Sequence, residues 1–253
     1  MTEPGHLHPL TQITDQAIKI LGRLGFSVIS GPEIETEYYN FDALNVPADH
    51  PARDMQDTFW LAPSKLERLA SKKLLRTHTS PMQIRYMEKH QPPLAIIVPG
   101  KVFRHEATDA THEAQFYQLE GLMVGRDITL ANLKAVLEKL FQELFGAGLR
   151  LRLRPSYFPF VEPGVEADLS CFKCGQAVGG VNPACNLCQG TGWIEVVGAG
   201  LVHPNVLQTV QLDPEVWSGF AFGLGLDRLV MLKYGIDDIR WLHSGDWRFL
   251  KQF

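Results

Sequence analysis

The four cysteines of this chain form two CxxC pairs that suit a metal ion. The pairs are Cys171 with Cys174 and Cys185 with Cys188, separated by residues 175–184. Each pair supplies two thiolates from one tight turn, and a hairpin between the pairs would close a tetrahedral site. The spacing predicts structural zinc, because four thiolates leave no open position for a substrate. An iron or redox centre and four unligated thiols remain as alternatives.

A second candidate for chemistry is a polar row on otherwise apolar strands within residues 96–124. Both ends of this segment alternate with period two, and the polar run DATHE between them indicates a loop. Alternate residues of a strand share a face. On the second strand this rule separates Phe116, Gln118 and Glu120 from Tyr117, Leu119 and Met123. On the first strand it groups Val102, Arg104 and Glu106, opposite Phe103. Such a row indicates the floor of a binding site or a solvated outer face.

The segment before this hairpin begins with a helix and a strand. Apolar residues at helical spacing predict an amphipathic helix over residues 10–24, ended by Gly25. FSVISGPEIE is predicted to be a strand with a turn at Gly31 and Pro32. A loop is then expected over residues 38–57, before a short strand at DTFWL.

Two more helices are predicted before the hairpin, over residues 64–74 and 81–90. Ser80 followed by Pro81 indicates an N-cap with proline at the first helical position. His78 and Ser80 would then precede the positive end of a helix, where backbone N–H groups meet carboxylates or polar ligands. A histidine in such a place is otherwise an ordinary structural residue.

The segment after the hairpin contains the clearest helix, over residues 129–145, capped by Thr129 and ended by Gly146. The alternating segment RLRLRPSYFPF is predicted to be a strand. Its arginines on one face, a solvated edge or a phosphate-facing patch, are Arg150, Arg152 and Arg154. Phe158 and Phe160 share a face, which by itself is typical of core packing.

The glycine-rich segment GFAFGLGLDRLVMLKYG is predicted to be a strand, a glycine-rich turn and a helix. GLGLDR lacks the third glycine and the βαβ context of a dinucleotide fingerprint, and no GK[ST] follows as in a P-loop. Small residues in this segment let a ligand approach the backbone closely.

Five blocks of the chain, in order, resemble the class II aminoacyl-tRNA synthetases and, among them, the bacterial alpha subunits of phenylalanyl-tRNA synthetase. GFSVISGPEIETEYYNFDALNVPADHPARD resembles motif 1, FRHE with FYQLEG resembles motif 2, and GFAFGLGLDRLVMLKYG resembles motif 3. RTHTSPMQIRYM and YFPFVEPG are further family blocks. The resemblance covers residues 10–253.

The resemblance implies an α+β fold, the class II catalytic fold of a mostly antiparallel sheet flanked by helices. We expect one catalytic domain over residues 1–253, with a small four-cysteine zinc hairpin inserted at residues 168–193. Better-known family members have a short cysteine-free turn there, so the family chemistry does not require this metal. The motif 1 helix and strand imply dimerisation.

The resemblance also implies which residues bind phenylalanine. Gln118 and Glu120 would receive its ammonium group, helped by His78, Ser80 and Gln83. Phe158 and Phe160 would line the ring pocket edge-on. The remaining pocket residues would be Val161, Ala221 and Gly223.

The implied reaction joins phenylalanine to ATP and then to tRNA-Phe, without a covalent enzyme intermediate. Positioning and charge neutralisation would carry the catalysis. Arg104 would bridge the substrate carboxylate and the α-phosphate, Glu106 and His112 would orient ATP, and adenine would stack between Phe116 and Arg228. Arg104, Glu106 and Arg228 are thus the predicted catalytic residues.

The implied cofactors and partners extend beyond this chain. ATP brings Mg²⁺, for which Glu195 is a candidate ligand, and the four cysteines would hold Zn²⁺. A beta subunit is expected in an alpha2beta2 heterotetramer, together with tRNA-Phe. That subunit would also carry the editing site that a hydrophobic pocket needs against tyrosine.

Composition limits where and how the protein acts. The 253 residues are 45% hydrophobic, enough for one large core, and the net charge is −4. There is no apolar run of ~20 residues for a membrane span and no signal-peptide pattern at MTEPGHLHPL, so a cytoplasmic protein is expected. Without a basic face, the chain is not expected to grip tRNA unaided.

Two other functions fit parts of the pattern. The chain begins where the family's N-terminal coiled-coil arm would end, as in a trimmed or naturally short version. A paralogue could pass its amino acid to an acceptor other than tRNA. A non-catalytic, zinc-bearing binding module is the second alternative, although Arg104, Glu106, Phe116 and Arg228 are all present.

Overall fold

The structure is a computed structural model that describes residues 5–53, 58–62, 72–174 and 182–253. Its strands are, in chain order, β1 (Ser27–Val28), β2 (Ile34–Thr36), β3 (Lys73–Leu75), β4 (Leu94–Phe103), β5 (Gln115–Gly125), β6 (Leu151–Pro155), β7 (Val161–Ser170), β8 (Trp193–Val202) and β9 (Ser218–Gly225). Within the described ranges, the large sheet has seven strands in the order β1-β4-β5-β9-β8-β7-β6. Only β1 pairs in parallel with its neighbour, so the predicted mostly antiparallel sheet is confirmed.

Helices pack on both sides of this sheet. They are, in chain order, α1 (Pro9–Arg23), α2 (Glu37–Asn40), α3 (Pro81–Met87), α4 (Leu130–Phe145), α5 (Pro204–Thr209), α6 (Leu226–Tyr234), α7 (Arg240–His243) and α8 (Trp247–Leu250). Short 3-10 turns lie at Asp42–Leu44 and Pro51–Arg53. The predicted α+β class is therefore confirmed.

β4 and β5 form the hairpin that the alternation predicted, as the second and third strands of the seven. Its register places Val98 opposite Glu120 and Val102 opposite Phe116, so the polar row of β5 faces the same side as these valines. β4 ends at Phe103, however, so the predicted placement of Arg104 and Glu106 on the strand is wrong. Both residues lie in the connecting segment, residues 104–114, which is not a strand, so the alternation of side chains between two faces stops at Phe103.

The predicted helices of the first half are partly correct. α1 begins at Pro9, where the His8 ring nitrogen accepts a hydrogen bond from the N–H of Leu10 at 3.1 Å. α4 matches its prediction, and Asn132 accepts from the N–H of Thr129 at 2.9 Å. Residues 64–71 of the predicted helix 64–74 lie outside the described residues, but its end is wrong because Lys73–Leu75 is strand β3.

The motif 1 region is more broken than its sequence indicated. The predicted strand FSVISGPEIE is split into β1, which pairs with β4, and β2, which pairs with β3. The predicted loop that follows contains α2, for which the Thr36 hydroxyl accepts from the N–H of Tyr39 at 3.5 Å. Of the predicted strand DTFWL, Trp60 forms a single bridge to Leu74.

Each face of the sheet has its own hydrophobic cluster. One cluster combines the apolar sides of α1, α4 and α6 with Leu119 of β5 and with the four buried cysteines. The other contains Ile84 of α3, Leu122 of β5 and Ala221 of β9, with Phe158 and Phe160 packed against it. The site described below lies on this second face.

The glycine-rich segment contains no separate turn. β9 runs through Gly225 and passes directly into α6 at Leu226, so the predicted strand–turn–helix is a strand–helix junction. Gly223 in the strand interior leaves room for Glu120, whose Cγ would lie 3.2 Å from an added Cβ. Gly223 therefore serves close approach, whereas Gly235, with a φ of 70°, ends α6.

None of the helices within the described residues is both long enough and apolar enough to span a membrane.

Candidate active site

A cavity of about 280 Å³ lies on the second face of the sheet, above β5, β8 and β9. Its lining includes every predicted amino-acid ligand except Val161, together with Arg104: His78, Ser80, Gln83, Arg104, Gln118, Glu120, Phe158, Phe160, Ala221 and Gly223. Val161 lies buried at the start of β7, packed in the cluster beneath the cavity. The cavity joins an aromatic wall to a polar floor.

The polar floor is centred on Glu120, which is 5% exposed. One carboxylate oxygen accepts from the N–H of Thr79 at 2.9 Å, and the other accepts from Gln83 Nε2 at 3.0 Å and from the Ser80 hydroxyl. Burial raises the pKa of Glu120, against the opposing effect of hydrogen bonds from Ser80 and Thr79 and of the Arg104 charge. The alternative of a solvated outer face is therefore excluded for this residue.

Ser80 occupies the N-cap position of α3, as predicted, but its side chain does not cap the helix. Its hydroxyl instead donates to Glu120, and the neighbouring N–H of Thr79 does the same. Thr79 Oγ1 also donates to the Val98 carbonyl at 3.0 Å, which fixes this turn against β4. Sequence reasoning missed Thr79 because its contribution to the site comes from a backbone group that any residue carries.

His78 is neutral near physiological pH. Desolvation, with the nearby Arg104 charge, lowers the pKa of His78 to about 3. Its Nδ1 and the Oε1 of Gln118 are buried polar atoms for which the described part of the chain supplies no hydrogen-bond partner. Orphaned atoms of this kind at a cavity are typical of a site that a polar ligand completes.

The aromatic wall is formed by Phe158 and Phe160, which precede β7. Their rings stack with centroids 6.0 Å apart, and the Phe160 centroid lies 6.5 Å from the ring of His78. Both rings line the cavity and also pack against the cluster below, so the core and pocket interpretations hold together. Gly198 of β8 makes room for this wall, since an added Cβ would lie 3.0 Å from Phe158.

Arg104 lies between this cavity and a second one of about 290 Å³, whose lining also includes Glu106 and His78. Its Nε donates to the Thr77 carbonyl at 3.3 Å, and its Cζ lies 5.1 Å from the centre of the Phe116 ring. A guanidinium held over two adjoining cavities can neutralise anionic groups in both.

The other predicted ATP residues surround the end of β5. His112 is exposed in the loop, where its Nδ1 lies 3.0 Å from Asp109, and this hydrogen bond lowers the pKa of Asp109. Arg228, in the first turn of α6, donates from Nε to the carbonyl of Glu195 at 3.3 Å. Phe116 is faced by Arg104 here, so the predicted stacking between Phe116 and Arg228 stays a prediction.

The arginine row of β6 has a partner that sequence reasoning did not foresee. Arg152 and Arg154 both donate to the buried carboxylate of Asp168 on β7, at 2.8 and 2.6 Å. Arg154 also lies 3.5 Å from Glu195, the predicted Mg²⁺ ligand, whose side chain is 60% exposed. The row is thus a half-exposed edge that neutralises a buried acid, and the exposed carboxylate of Glu195 beside it offers oxygen ligands of the kind that Mg²⁺ prefers.

The four cysteines come together where β7 and β8 join. All four are buried, and their sulfurs lie within 4.8 Å of one another, with Cys171 and Cys185 at 3.9 Å and Cys174 and Cys188 at 3.3 Å. Zinc bonds of about 2.3 Å in a tetrahedron place sulfurs roughly 3.8 Å apart. The N–H of Gly192 lies 3.3 Å from Cys188 Sγ. The cluster therefore fits a four-thiolate metal site.

Known proteins resemble this chain over nearly its whole length. The family model described as "tRNA synthetases class II core domain (F)" matches residues 1–253. The phenylalanine--tRNA ligase alpha subunit of Dehalococcoides mccartyi (strain CBDB1) is 56% identical over 250 residues, which are 98% of this chain and 70% of that protein. The alpha subunit of Limosilactobacillus reuteri (strain DSM 20016) is 54% identical over 252 residues, which are 98% and 68% of the two chains.

The solved structures agree at the level of the fold. A pyrrolysyl-tRNA synthetase from Desulfitobacterium hafniense superposes with a TM-score of 0.66 at 18% identity, covering 94% of this chain and 74% of that one. At that identity the likeness concerns the fold alone. The family model and the relatives show that this chain belongs to the phenylalanine--tRNA ligase alpha-subunit family of the class II tRNA synthetases.

Proposed function

We propose that this chain is the catalytic subunit of a ligase that activates L-phenylalanine with ATP and transfers it to tRNA-Phe. The observation that carries the proposal is the cavity with an aromatic wall, a carboxylate floor and Arg104 at its edge. A phenyl ring, an ammonium group and a carboxylate are the three parts of the substrate that these groups would bind. In the first step a carboxylate oxygen of phenylalanine attacks the α-phosphorus and the bond to pyrophosphate breaks.

Positioning and charge neutralisation carry this step. Arg104 would neutralise the attacking carboxylate and the charge that develops at phosphorus, where preorganised donors act most strongly. Glu106, His112, Phe116 and Arg228 would orient ATP. Class II synthetases use ATP with Mg²⁺, which lowers the charge of the phosphates when bound, and Glu195 would hold it here.

The ammonium group of phenylalanine would bind at Glu120. The substrate nitrogen would meet the carboxylate and the orphaned Oε1 of Gln118, while neutral His78 would offer a hydrogen bond and no charge. A neutral histidine suits a place beside Arg104, because a second positive charge there would be repelled.

Binding of phenylalanine is expected to weaken as pH falls, beginning above the pH at which an exposed glutamate is protonated. Protonation of Glu120 removes the negative charge that holds the ammonium group. Burial raises the pKa of Glu120 in the free site, so this loss begins at a higher pH than for an exposed glutamate. Below that pKa the Kd should rise by up to about tenfold per pH unit. Titration calorimetry at several pH values measures it, and Glu120→Gln should bind weakly with no such slope. A wild-type Kd that does not change with pH would contradict this assignment.

Replacing Ala221 with Gly is expected to admit para-substituted phenylalanines. Ala221 lines the cavity and is nearly buried, so the loss of its methyl group deepens the space beyond the ring. Activation of para-chlorophenylalanine relative to phenylalanine should rise by about tenfold or more, measured as kcat/KM in ATP–pyrophosphate exchange. Ala199→Gly removes a methyl group from the other cluster and serves as the matched control. Equal selectivity in the two variants would exclude Ala221 from the pocket.

The four cysteines would hold structural zinc, which pins the connection between β7 and β8. The metal would lie at the end of these strands, and Phe172 beside it stacks on Phe145 of α4 with centroids 5.8 Å apart. No reacting group is assigned to this site, because four thiolates complete a tetrahedron. Residues 168–193 remain our proposed bounds for the insert, within a catalytic domain over residues 1–253.

A beta subunit and tRNA-Phe are the proposed partners, in an alpha2beta2 heterotetramer that works in the cytoplasm. The family of alpha subunits implies a beta subunit by name. The net charge of −4 supports a division of labour in which the partner contributes to tRNA binding.

The first test is amino-acid-dependent ATP–pyrophosphate exchange, with all twenty amino acids, with and without the beta subunit. Exchange with phenylalanine, and about a hundredfold more weakly with tyrosine, is the expected result. Activity only with the partner would mean that the site assembles in the complex. No exchange in either case would contradict the proposal and favour the binding-module alternative. Transfer to tRNA-Phe separates the enzyme from a paralogue with another acceptor.

A further inference from the structure

Asp227 is a buried carboxylate between the two elements that carry the proposed adenine contacts. It precedes Arg228 in the first turn of α6 and is 2% exposed. We propose that Asp227 is a positioning residue for ATP, which ties the Phe116 end of β5 to the N-terminus of α6. The proposal rests on the proposed function, because the roles of Phe116 and Arg228 belong to it.

The first contact of this carboxylate replaces a missing strand partner. β5 and β9 pair from Gly125 opposite Ser218 as far as Gln118 opposite Gly225, where β9 becomes α6. The next residue of β5, Tyr117, donates its backbone N–H to Asp227 Oδ2 at 2.6 Å. A helix residue thus satisfies the strand N–H beyond the end of the ladder, immediately beside Phe116.

The second contact fixes the other carboxylate oxygen. Asp227 Oδ1 lies 2.7 Å from Nε2 of His243 on α7, whose side chain is one-fifth exposed. Hydrogen bonding to Asp227 raises the pKa of His243, which favours a charge-assisted pair. The preceding residue of α7, Leu242, accepts from the His8 ring through its carbonyl at 3.0 Å. Both oxygens of Asp227 are therefore held, and the carboxylate has one orientation.

Asp227 is expected to affect the binding of ATP rather than the binding of phenylalanine. Asp227 is absent from the lining of the amino-acid cavity, and its partners Tyr117 and His243 line a different cavity, which shares no residue with it. An aromatic ring and a guanidinium grip a planar base only when their separation is fixed, and small displacements of binding groups are costly. Loss of the tie between β5 and α6 should therefore raise the KM for ATP.

The test compares Asp227→Ala with Asp227→Asn in the complex with the beta subunit, by ATP–pyrophosphate exchange. Asp227→Ala leaves the N–H of Tyr117 without its acceptor, and the KM for ATP should rise about tenfold while that for phenylalanine stays within about twofold. Asp227→Asn keeps a carbonyl oxygen for that N–H and should restore the KM for ATP to within about threefold of wild type.

Glu35→Gln is the matched control for the loss of a buried charge. Glu35 is 1% exposed and pairs with Arg85 at 2.7 Å, away from the ATP residues. It should lower the melting temperature without moving the KM for ATP. The proposal is overturned if Asp227→Ala lowers only the melting temperature or kcat, or if Glu35→Gln raises the KM for ATP as much.

Three further outcomes are decisive. If Asp227→Ala yields no folded protein, His243→Ala removes one of the two anchors and should raise the KM for ATP about threefold; an unchanged KM there overturns the proposal. Exchange by wild type with unchanged KM values in all Asp227 variants would refute this inference alone. No exchange by the wild-type complex would refute the proposed function and this inference with it.

Discussion

Replacing Arg104 with Gln is expected to lower kcat for ATP–pyrophosphate exchange by roughly a hundred- to a thousandfold. Removal of a single preorganised donor from a developing charge has an effect of this size, and Arg104 would serve two anionic groups. Arg104 lines two adjoining cavities and its Nε donates to the Thr77 carbonyl, so its guanidinium is already oriented before the substrates bind. Single-turnover measurement of adenylate formation isolates this step from product release.

Arg104→Lys separates charge from geometry in the same experiment. Lysine keeps the positive charge but lacks the planar fork that spans two acceptors, so its rate should fall between wild type and Arg104→Gln. Arg126→Gln is the matched control, because Arg126 lies 5.0 Å over the Trp217 ring in a similar cation–π contact at the far end of β5. It should leave the rate within about twofold.

A second readout follows from the electrostatics of the cavity. The charge of Arg104 contributes to the low pKa of His78, although desolvation contributes more. In Arg104→Gln the pKa of His78 should rise, yet remain below that of an exposed histidine, when followed by NMR titration of the ring. A wild-type rate of adenylate formation in Arg104→Gln would exclude Arg104 from the catalytic residues, regardless of the pKa of His78.

The sheet was predictable where side chains decide local structure. The alternation in β4 and β5 and the apolar stripe of α4 placed these elements correctly, because both face a buried cluster. α2 is a single turn that begins at the capping residue Thr36, and β3 is a strand only because β2 and Trp60 pair with it. Neither contact can be derived from local periodicity.

The residues of the site were likewise predictable only in part. Spacing alone identified the four cysteines and the polar face of β5, whereas the roles of His78, Ser80 and Phe160 came from family resemblance. The backbone donor at Thr79 and the helix-to-strand contact of Asp227 depend on elements distant in sequence. An acid next to a motif arginine was the available signal for Asp227, but the helix pattern explained it equally well as a favourable charge in the first turn.

Replacing Cys171 with Ser is expected to lower the melting temperature by roughly 10 °C. A structural zinc site contributes its binding free energy to folding, and a loss of even a few kcal/mol shifts a domain of this size by about 2–4 °C per kcal/mol. Cys171 is fully buried directly after β7, so Cys171→Ser would also bury a polar hydroxyl without the metal as its partner. Differential scanning calorimetry of metal-loaded protein measures the shift, and elemental analysis should give one zinc per wild-type chain.

Ser170→Ala is the neighbouring control. The Ser170 hydroxyl is equally buried and accepts from the N–H of Arg150 at 3.0 Å, so its loss should cost only about 1 kcal/mol and a few degrees. Zinc content should stay at the wild-type value in this variant. A shift as large as that of Cys171→Ser would mean that burial at the end of β7, rather than the metal, accounts for the effect.

Because the metal would lie at the end of two strands, its removal is expected to affect the stability of the fold and not the reaction. Chelation of the metal should lower the melting temperature. The KM values for ATP and phenylalanine, measured well below that temperature, should stay within about twofold, because no cysteine lines either cavity. Loss of activity with the melting temperature intact would contradict a structural role. Iron in place of zinc would support the redox alternative, and absence of both metals would leave four buried thiols whose proximity needs another cause.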